Sequence, residues 1–390
     1  MKHPIPPSCR SLLLRLPWLL LLPLGLLLPR LFAAQSAWVE QVYVPAIYPA
    51  IRAALTALTG WFPFSLAEFL LYALAAGVPL LIAVQGVRAL AHRIPATRFF
   101  STLLSLCILG GVLVNLFYAT WGLLYFREPL SERMGLSVEA RPVEELAALT
   151  ECLARHAAAL RAAADALLAT GLHRVFISLG GDGVFAADVD AGFDAVPAAY
   201  AALAEADGTF AGSVSRVKRV TCSRGLSWLG ISGIYIGLTA EANVNVDQPP
   251  LLLFHSAAHE TAHQLGLASE NEADFVAFLA CMRAEAPAVR YSGAMLALIR
   301  CANALYAAGA ERYFAIADAC YSDGMRRDLA DYSAYWDAFE GPAQEAASDA
   351  NDSYLKYNAQ PSGVKSYGEA ADLLLALYAA GGEAALFPEN

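Results

Sequence analysis

Three of the chain's seven histidines fall within nine residues, at His255, His259 and His263. The segment His259-Glu260-Thr261-Ala262-His263 sets two imidazoles four positions apart, with a carboxylate beside the first. On a helix such residues stand one turn apart on the same face, so both rings can reach one Zn²⁺ ion. Glu260, offset by one position, can face a water on that ion without being a ligand, as a general base must. At this chain's own His and Glu frequencies the pattern arises by chance in on the order of one such chain in a hundred. Its flanks agree with a helix: Leu251-Leu252-Leu253-Phe254 is an apolar lead-in, and Leu265-Gly266 marks an end.

A catalytic zinc usually has three protein ligands and one open position. The third is sought in Ser269-Glu270-Asn271-Glu272-Ala273-Asp274. Ser269 and Glu272 have the spacing of a capping box, which gives Glu272 a structural task at the start of a new helix. Glu270 and Asp274, four apart, then share a face. Glu270 is the expected ligand, with Asp274 accepting a hydrogen bond from a ligand histidine; Glu272 is the alternative ligand. His255, one turn before His259, is read as a core or supporting histidine, though it too can approach the metal.

The elements that must position this site divide by charge. Residues 1–127 carry nine Lys/Arg and two acids, and the remainder carries 17 basic and 34 acidic residues. An acidic domain of that kind repels phosphate backbones, so no nucleic-acid partner is expected. The chain is 57% hydrophobic, above the usual 45–50% or so of a soluble domain. Residues 1–126 are therefore read as a membrane anchor with three transmembrane helices at about 12–32, 69–87 and 103–125, a lipid bilayer being their partner. The first is short enough to resemble a signal-peptide core, but is read as a retained anchor. Arg88, Arg93 and Arg98 put the loop between the last two spans in the cytoplasm, and hence residues 127–390 outside it. Trp121 and Tyr125 suit the membrane–water interface, and 38–64 reads as interfacial packing without chemistry. The spans have no ionisable residue at their centres, which argues against a carrier.

Within 127–390, helical spacing runs over 143–170 and 191–206. Residues 173–179 read as a strand, followed by a turn at Gly180-Gly181-Asp182-Gly183 that lacks phosphate-binding spacing. Residues 214–220 and 230–246 look extended, and from 251 onward the chain is mainly helical. The expected class is α+β: transmembrane helices, then a mainly helical domain with a small sheet. The seven cysteines have no CxxC spacing, and no disulfide pairing can be read from them. Glu241, Asn243 and Asn245 alternate through an extended stretch before the active helix, and either line a substrate cleft or cap and turn the strand. Tyr235, Tyr354, Tyr357 and Tyr367 are candidate donors to an oxyanion; Tyr235 and Tyr367 are placed in the cleft.

These motifs resemble the zincin metallopeptidases, and Glu270-Asn271-Glu272-Ala273-Asp274 looks like their E-x-x-A-[DN] element, whose first Glu binds zinc. More closely, the chain resembles a bacterial membrane family called domain of unknown function 3810. The similar stretches are Phe62-Pro63-Phe64-Ser65, Gly230-Ile231-Ser232-Gly233-Ile234-Tyr235, Glu241 to Asn245, His259 to Phe275, and Gly363-Val364-Lys365-Ser366-Tyr367-Gly368. Ser269 stands where metzincins have a third histidine, and the gap from His263 to Glu270 is short, so the chain must turn sharply at Gly266. The resemblance implies a membrane-bound, peptidase-like protein on the cytoplasmic membrane of a bacterium. The resulting expectation is zinc-dependent hydrolysis of an envelope or exported peptide or protein, with Glu260 as base. The alternative is a non-catalytic envelope protein with a structural zinc.

Overall fold

The protein's computed structural model describes residues 12–169, 178–179, 185–186 and 188–388. Its N-terminal part forms four apolar helices, α1 (Leu12–Phe32), α2 (Ser36–Thr59), α3 (Leu66–Leu90) and α4 (Ala96–Thr120), each long and apolar enough to cross a membrane. The expected spans fall on α1, α3 and α4. The last stops earlier than its apolar run, because a buried 3₁₀ turn, Gly122–Phe126, follows it. The stretch 38–64, read as interfacial packing, is mostly the helix α2. Pro45 lies in its first half, where the backbone widens into a π-helix over Val39–Ile47; proline has no N–H to give to the regular ladder.

The rest of the chain is built around one apolar helix. It comprises α5 (Leu130–Met134), α6 (Val143–Ala169), α7 (Val189–Ala206), α8 (Ser223–Ser227), α9 (Pro250–Gln264), α10 (Glu270–Met282), α11 (Pro287–Cys320), α12 (Asp323–Asp337), α13 (Pro342–Tyr357) and α14 (Ala370–Leu386). Every residue of α9 from Leu251 to Gln264 is buried. Helices α7, α10 and α11 surround it, and α6 lies along α11. From α7, Tyr200 donates to the Ala258 carbonyl at 2.6 Å. Buried Arg161 of α6 meets Asp328 of α12 at 2.7 Å, and Tyr291 of α11 donates to the same carboxylate at 2.8 Å. A buried charge needs such partners to offset its lost hydration.

Among the described residues five short strands complete the fold: β1 (Ser178–Leu179), β2 (Phe185–Ala186), β3 (Lys218–Arg219), β4 (Gly233–Ile236) and β5 (Glu241–Val244). β1 and β2 pair with each other; the glycine cluster read as a turn between them lies outside the described residues. The second sheet has the order β3-β5-β4, with β3 parallel and β4 antiparallel to β5. The fold is thus mostly helical with a small sheet, and α6 and α7 precede that sheet. The six described cysteines are all free thiols.

β4 is the open edge. The Asn245 N–H donates to the Ser232 carbonyl at 3.0 Å, so Ser232, Ile234 and Ile236 face β5. Gly233 and Tyr235 then direct their backbone groups to the open side, because these directions alternate along an antiparallel strand.

Candidate metal centre

The two imidazoles of α9 meet α10 across one tight turn. Gly266, at φ +96°, takes the left-handed conformation that a side chain disfavours. This is the sharp reversal that the short gap between His263 and Glu270 demands. The Nε2 atom of His259 lies 3.2 Å from Glu270 Oε2, and the Nε2 atom of His263 lies 3.5 Å from the same oxygen. Together His259, His263 and Glu270 form a buried group that can hold a metal ion. The separations fit that use, since ligands about 2.0–2.1 Å from a tetrahedral ion stand roughly 3.4 Å apart.

The other ring nitrogens are occupied. Asp274 Oδ1 is 2.7 Å from Nδ1 of His259, and the Leu267 carbonyl is 2.6 Å from Nδ1 of His263. Each acceptor can hold a proton on Nδ1, so that a bound metal would meet the Nε2 lone pair. Asp274 is itself held by Arg300 of α11, whose Nη2 stands 2.9 Å from Oδ2. Burial disfavours the charge on Asp274, yet Arg300 and His259 keep its carboxyl well below the usual carboxylate range. Burial acts on Glu270 in the same sense, and His263 and His259 outweigh it, bringing the carboxyl down to about 2.

Glu260 is 4% exposed, and among the described residues no ion pair to it is formed. Burial pushes its carboxyl up to about 7, against the pull of His259 and His263, and the Tyr235 backbone donates to it. It lies hard against β4: a Cβ on Gly233 would stand 2.6 Å from Glu260 Oε1. His255 is set apart. Its Nε2 faces the Asp274 backbone carbonyl at 3.3 Å, and burial lowers its pKa to about 4. It is a neutral supporting histidine.

The C-terminal end of α9 exposes carbonyls without helical partners, and the N-terminal helices supply them. Tyr48 and Arg52 of α2 donate to the Gln264 carbonyl at 2.8 and 3.1 Å, and Trp121 donates to that of His263 at 3.3 Å. Trp121, expected at a membrane interface, is 6% exposed, its ring 5.8 Å edge-on from that of His263. Sequence reasoning missed Tyr48 and Arg52, and their only signal is a tyrosine and an arginine one turn apart in an apolar stretch.

A cavity of about 680 Å³ opens over the group, walled by β4, α13 and the end of α4. Tyr235, Tyr354 and Tyr367 line it. The Tyr235 hydroxyl pairs with that of Tyr48 at 3.4 Å, and Tyr125 donates to that of Tyr354 at 3.1 Å. Tyr367 stacks on His259, ring centres 6.3 Å apart. Tyr357 faces away, donating to the Leu26 carbonyl.

Glu241, Asn243 and Asn245 do not line this cleft. Glu241 and Asn243 lie in the central strand β5 and Asn245 directly after it; all three are buried and internally bonded, and Asn245 turns the chain there by accepting the Asp247 N–H at 2.9 Å. Glu241 binds Lys218 and the N–H groups of Leu66 and Ala67, Asn243 binds the Ile234 carbonyl, and Asn245 binds Ser227 and the Ile231 carbonyl. The capping box is also absent: Ser269 begins α10 without a side-chain cap and turns to Asn271. Glu272 instead accepts the Leu130 N–H at 2.6 Å, starting α5, with Arg133 at 3.6 Å. Glu272→Gln is therefore expected to keep full metal binding while costing about 1 kcal/mol of stability. Glu270→Gln is expected to lose the metal; metal content and thermal unfolding of the two variants distinguish ligand from cap.

No curated protein and no solved structure matches the chain. The model of a family described as "Protein of unknown function (DUF3810)" matches residues 43–375, from within α2 through the histidine group and into α14, and the chain belongs to that family.

Proposed function

We propose that the protein is a membrane-anchored zinc metallopeptidase that hydrolyses peptide bonds of an envelope or exported polypeptide. One observation carries the reading: two imidazole nitrogens and the Glu270 carboxylate converge, oriented from behind, beside the buried carboxylate of Glu260. Two histidines and a glutamate are a known donor set for catalytic zinc, and imidazole with carboxylate suits that ion. Zinc held there would supply Lewis acidity, polarising a scissile carbonyl and acidifying water.

The chain's own residues do the rest. The open backbone of β4 accepts an extended peptide as an added strand, laying it along the cavity past Glu260. Glu260 takes the proton from the attacking water as its oxygen bonds to the carbonyl carbon. It then delivers that proton to the amine as the C–N bond breaks. Burial and the carboxylates of Glu270 and Asp274 keep Tyr367 protonated; its ring lies over His259 in the cavity wall, where its hydroxyl would serve as a donor to the developing oxyanion.

The first test is metal content of the purified protein. About one zinc per chain is expected, lost in His263→Ala and kept in Glu260→Gln; wild type without zinc overturns the reading. A second expectation concerns Gly233→Ala. Its methyl group would collide with Glu260 Oε1 and Cγ, at 2.6 and 2.7 Å, and push the base from its place without touching a ligand. Zinc content should stay at the wild-type level while peptide turnover falls about a hundredfold, the size of loss that a 1 Å misplacement brings. Unchanged turnover would remove Glu260 from the proposed role.

A further inference from the structure

The four apolar helices are tied to the domain in two different ways. α1 and α4 run parallel: Arg15 donates to Ser101 and Ser105, each at 3.2 Å, and further along Asn115 donates to the Leu21 carbonyl at 2.7 Å. α3 returns antiparallel to α4 through the basic turn at 91–95, with Gly86 facing Phe99. The C-terminal ends of α1 and α4 and the N-terminal end of α3 therefore point the same way, and there they meet the domain. Glu241 takes the N–H groups of Leu66 and Ala67 at 3.0 and 2.7 Å, and Glu68 takes those of Thr221 and Cys222, each at 2.8 Å.

α2 touches that same body along its whole length. Arg127 clamps Glu40 near its start at 2.8 Å, Tyr48 and Arg52 hold Gln264 in its middle, and Lys218 donates to the Thr59 carbonyl at its end at 2.8 Å. At 1.5 Å per residue its 24 residues reach about 36 Å, enough to cross roughly 30 Å of hydrocarbon. A crossing helix, however, puts its two ends on opposite sides, and both ends of α2 rest on one domain. After it come Trp61, 85% exposed, and the exposed rings of Phe62 and Phe64, the residue types that settle at a membrane–water boundary.

The geometry points to α2 lying along the membrane surface while α1, α3 and α4 cross, with the cleft opening at the bilayer so that it takes polypeptide anchored in that same membrane. The substrate class rests on the peptidase reading; the placement does not. Trp121 directly follows α4 and packs against His263, and Phe117 and Tyr125, on either side of that helix end, line the cavity. The histidine group thus stands within about two helical turns, on the order of 10 Å, of the end of a crossing helix. Bonds of a tethered segment are already concentrated at that height, whereas those of a soluble protein are not.

The placement is tested by labelling the full chain in sealed cells with an impermeant maleimide, the labelled thiols being located by peptide mass spectrometry. Gln35→Cys, in the connection between α1 and α2, is expected to label from the side that labels the native exposed Cys222. Arg93→Cys should label only after permeabilisation. Labelling of position 35 together with 93 would mean that α2 crosses, and overturns the placement. The substrate class is tested with zinc-loaded protein in phosphatidylcholine vesicles and a pool of randomised peptides, offered free or fused to one membrane-spanning helix. Tethered peptides should be cut roughly a hundredfold faster. Equal rates overturn the substrate class alone, and cleavage of neither pool overturns the peptidase reading and the substrate class with it, leaving the labelling to decide the placement.

Discussion

Glu260→Gln should leave zinc content unchanged and lower peptide turnover by about 10²–10⁴-fold, the usual contribution of a positioned general base. The substitution preserves size and removes only the ability to take a proton. Neither ligand histidine depends on Glu260, since their Nδ1 atoms are held by Asp274 and Leu267. Metal binding and proton transfer are therefore separable at this position. A structural zinc that merely joins α9 to α10 has no use for a base, and would be indifferent to the change. Zinc quantification beside turnover of one peptide decides between them: loss of turnover with zinc retained supports the enzyme, and unchanged turnover excludes Glu260 as base. Glu260→Asp keeps the acid but withdraws it by one methylene from the Tyr235 N–H and from β4, so it should fall between wild type and glutamine.

How much of this site is legible in the sequence follows from how local each part is. His259, Glu260 and His263 occupy a single helical turn and a fraction, where periodicity alone places side chains. Glu270 and Asp274 follow by the same rule one helix later, and the short gap before them dictates the left-handed turn at Gly266. Glu272 shows where local reasoning ends. Its spacing from Ser269 has the form of a capping box, but the unpaired N–H of Leu130, 142 positions away, claims the carboxylate. Glu241, Asn243 and Asn245 fail for a related reason. Alternating polar residues in a strand suit a wet cleft equally well as a buried network, and only the neighbours decide. Here the neighbours are Lys218 and the start of α3, which turn Glu241 into an anchor between the domain and that apolar helix.

The fold divides in the same manner. Apolar length locates α1, α3 and α4, but cannot say that Trp121 ends its helix against a histidine and not against lipid. Nor can it say that an arginine in an apolar stretch serves a helix end. Arg52 sits where the carbonyls of α9 leave partial negative charge, and a cation is favourable at that end. The apolar helix α2 and the site helix α9 are thereby one mechanical unit, a relation that depends on contacts more than two hundred residues apart.

Asp274 is the next most sensitive position. Asp274→Ala should weaken zinc binding by about 10–100-fold, the cost of losing a partner that orients a ligand. One of its oxygens fixes the His259 ring and the other is fixed by Arg300, so the carboxylate transmits the rigidity of α11 to the metal group. Asp274→Asn keeps an oxygen to accept from Nδ1 but loses the charge that favours a positive centre. It should weaken binding less than alanine does, and the difference separates orientation from electrostatics. Competition with a chelator reads the affinities, and thermal unfolding of the zinc-free variants reads the separate cost of leaving Arg300 without its partner. Equal affinities in wild type and Asp274→Ala would reduce the pair to a link between α9 and α10, and the orientation of His259 would then rest on the packing of Tyr367 against its ring.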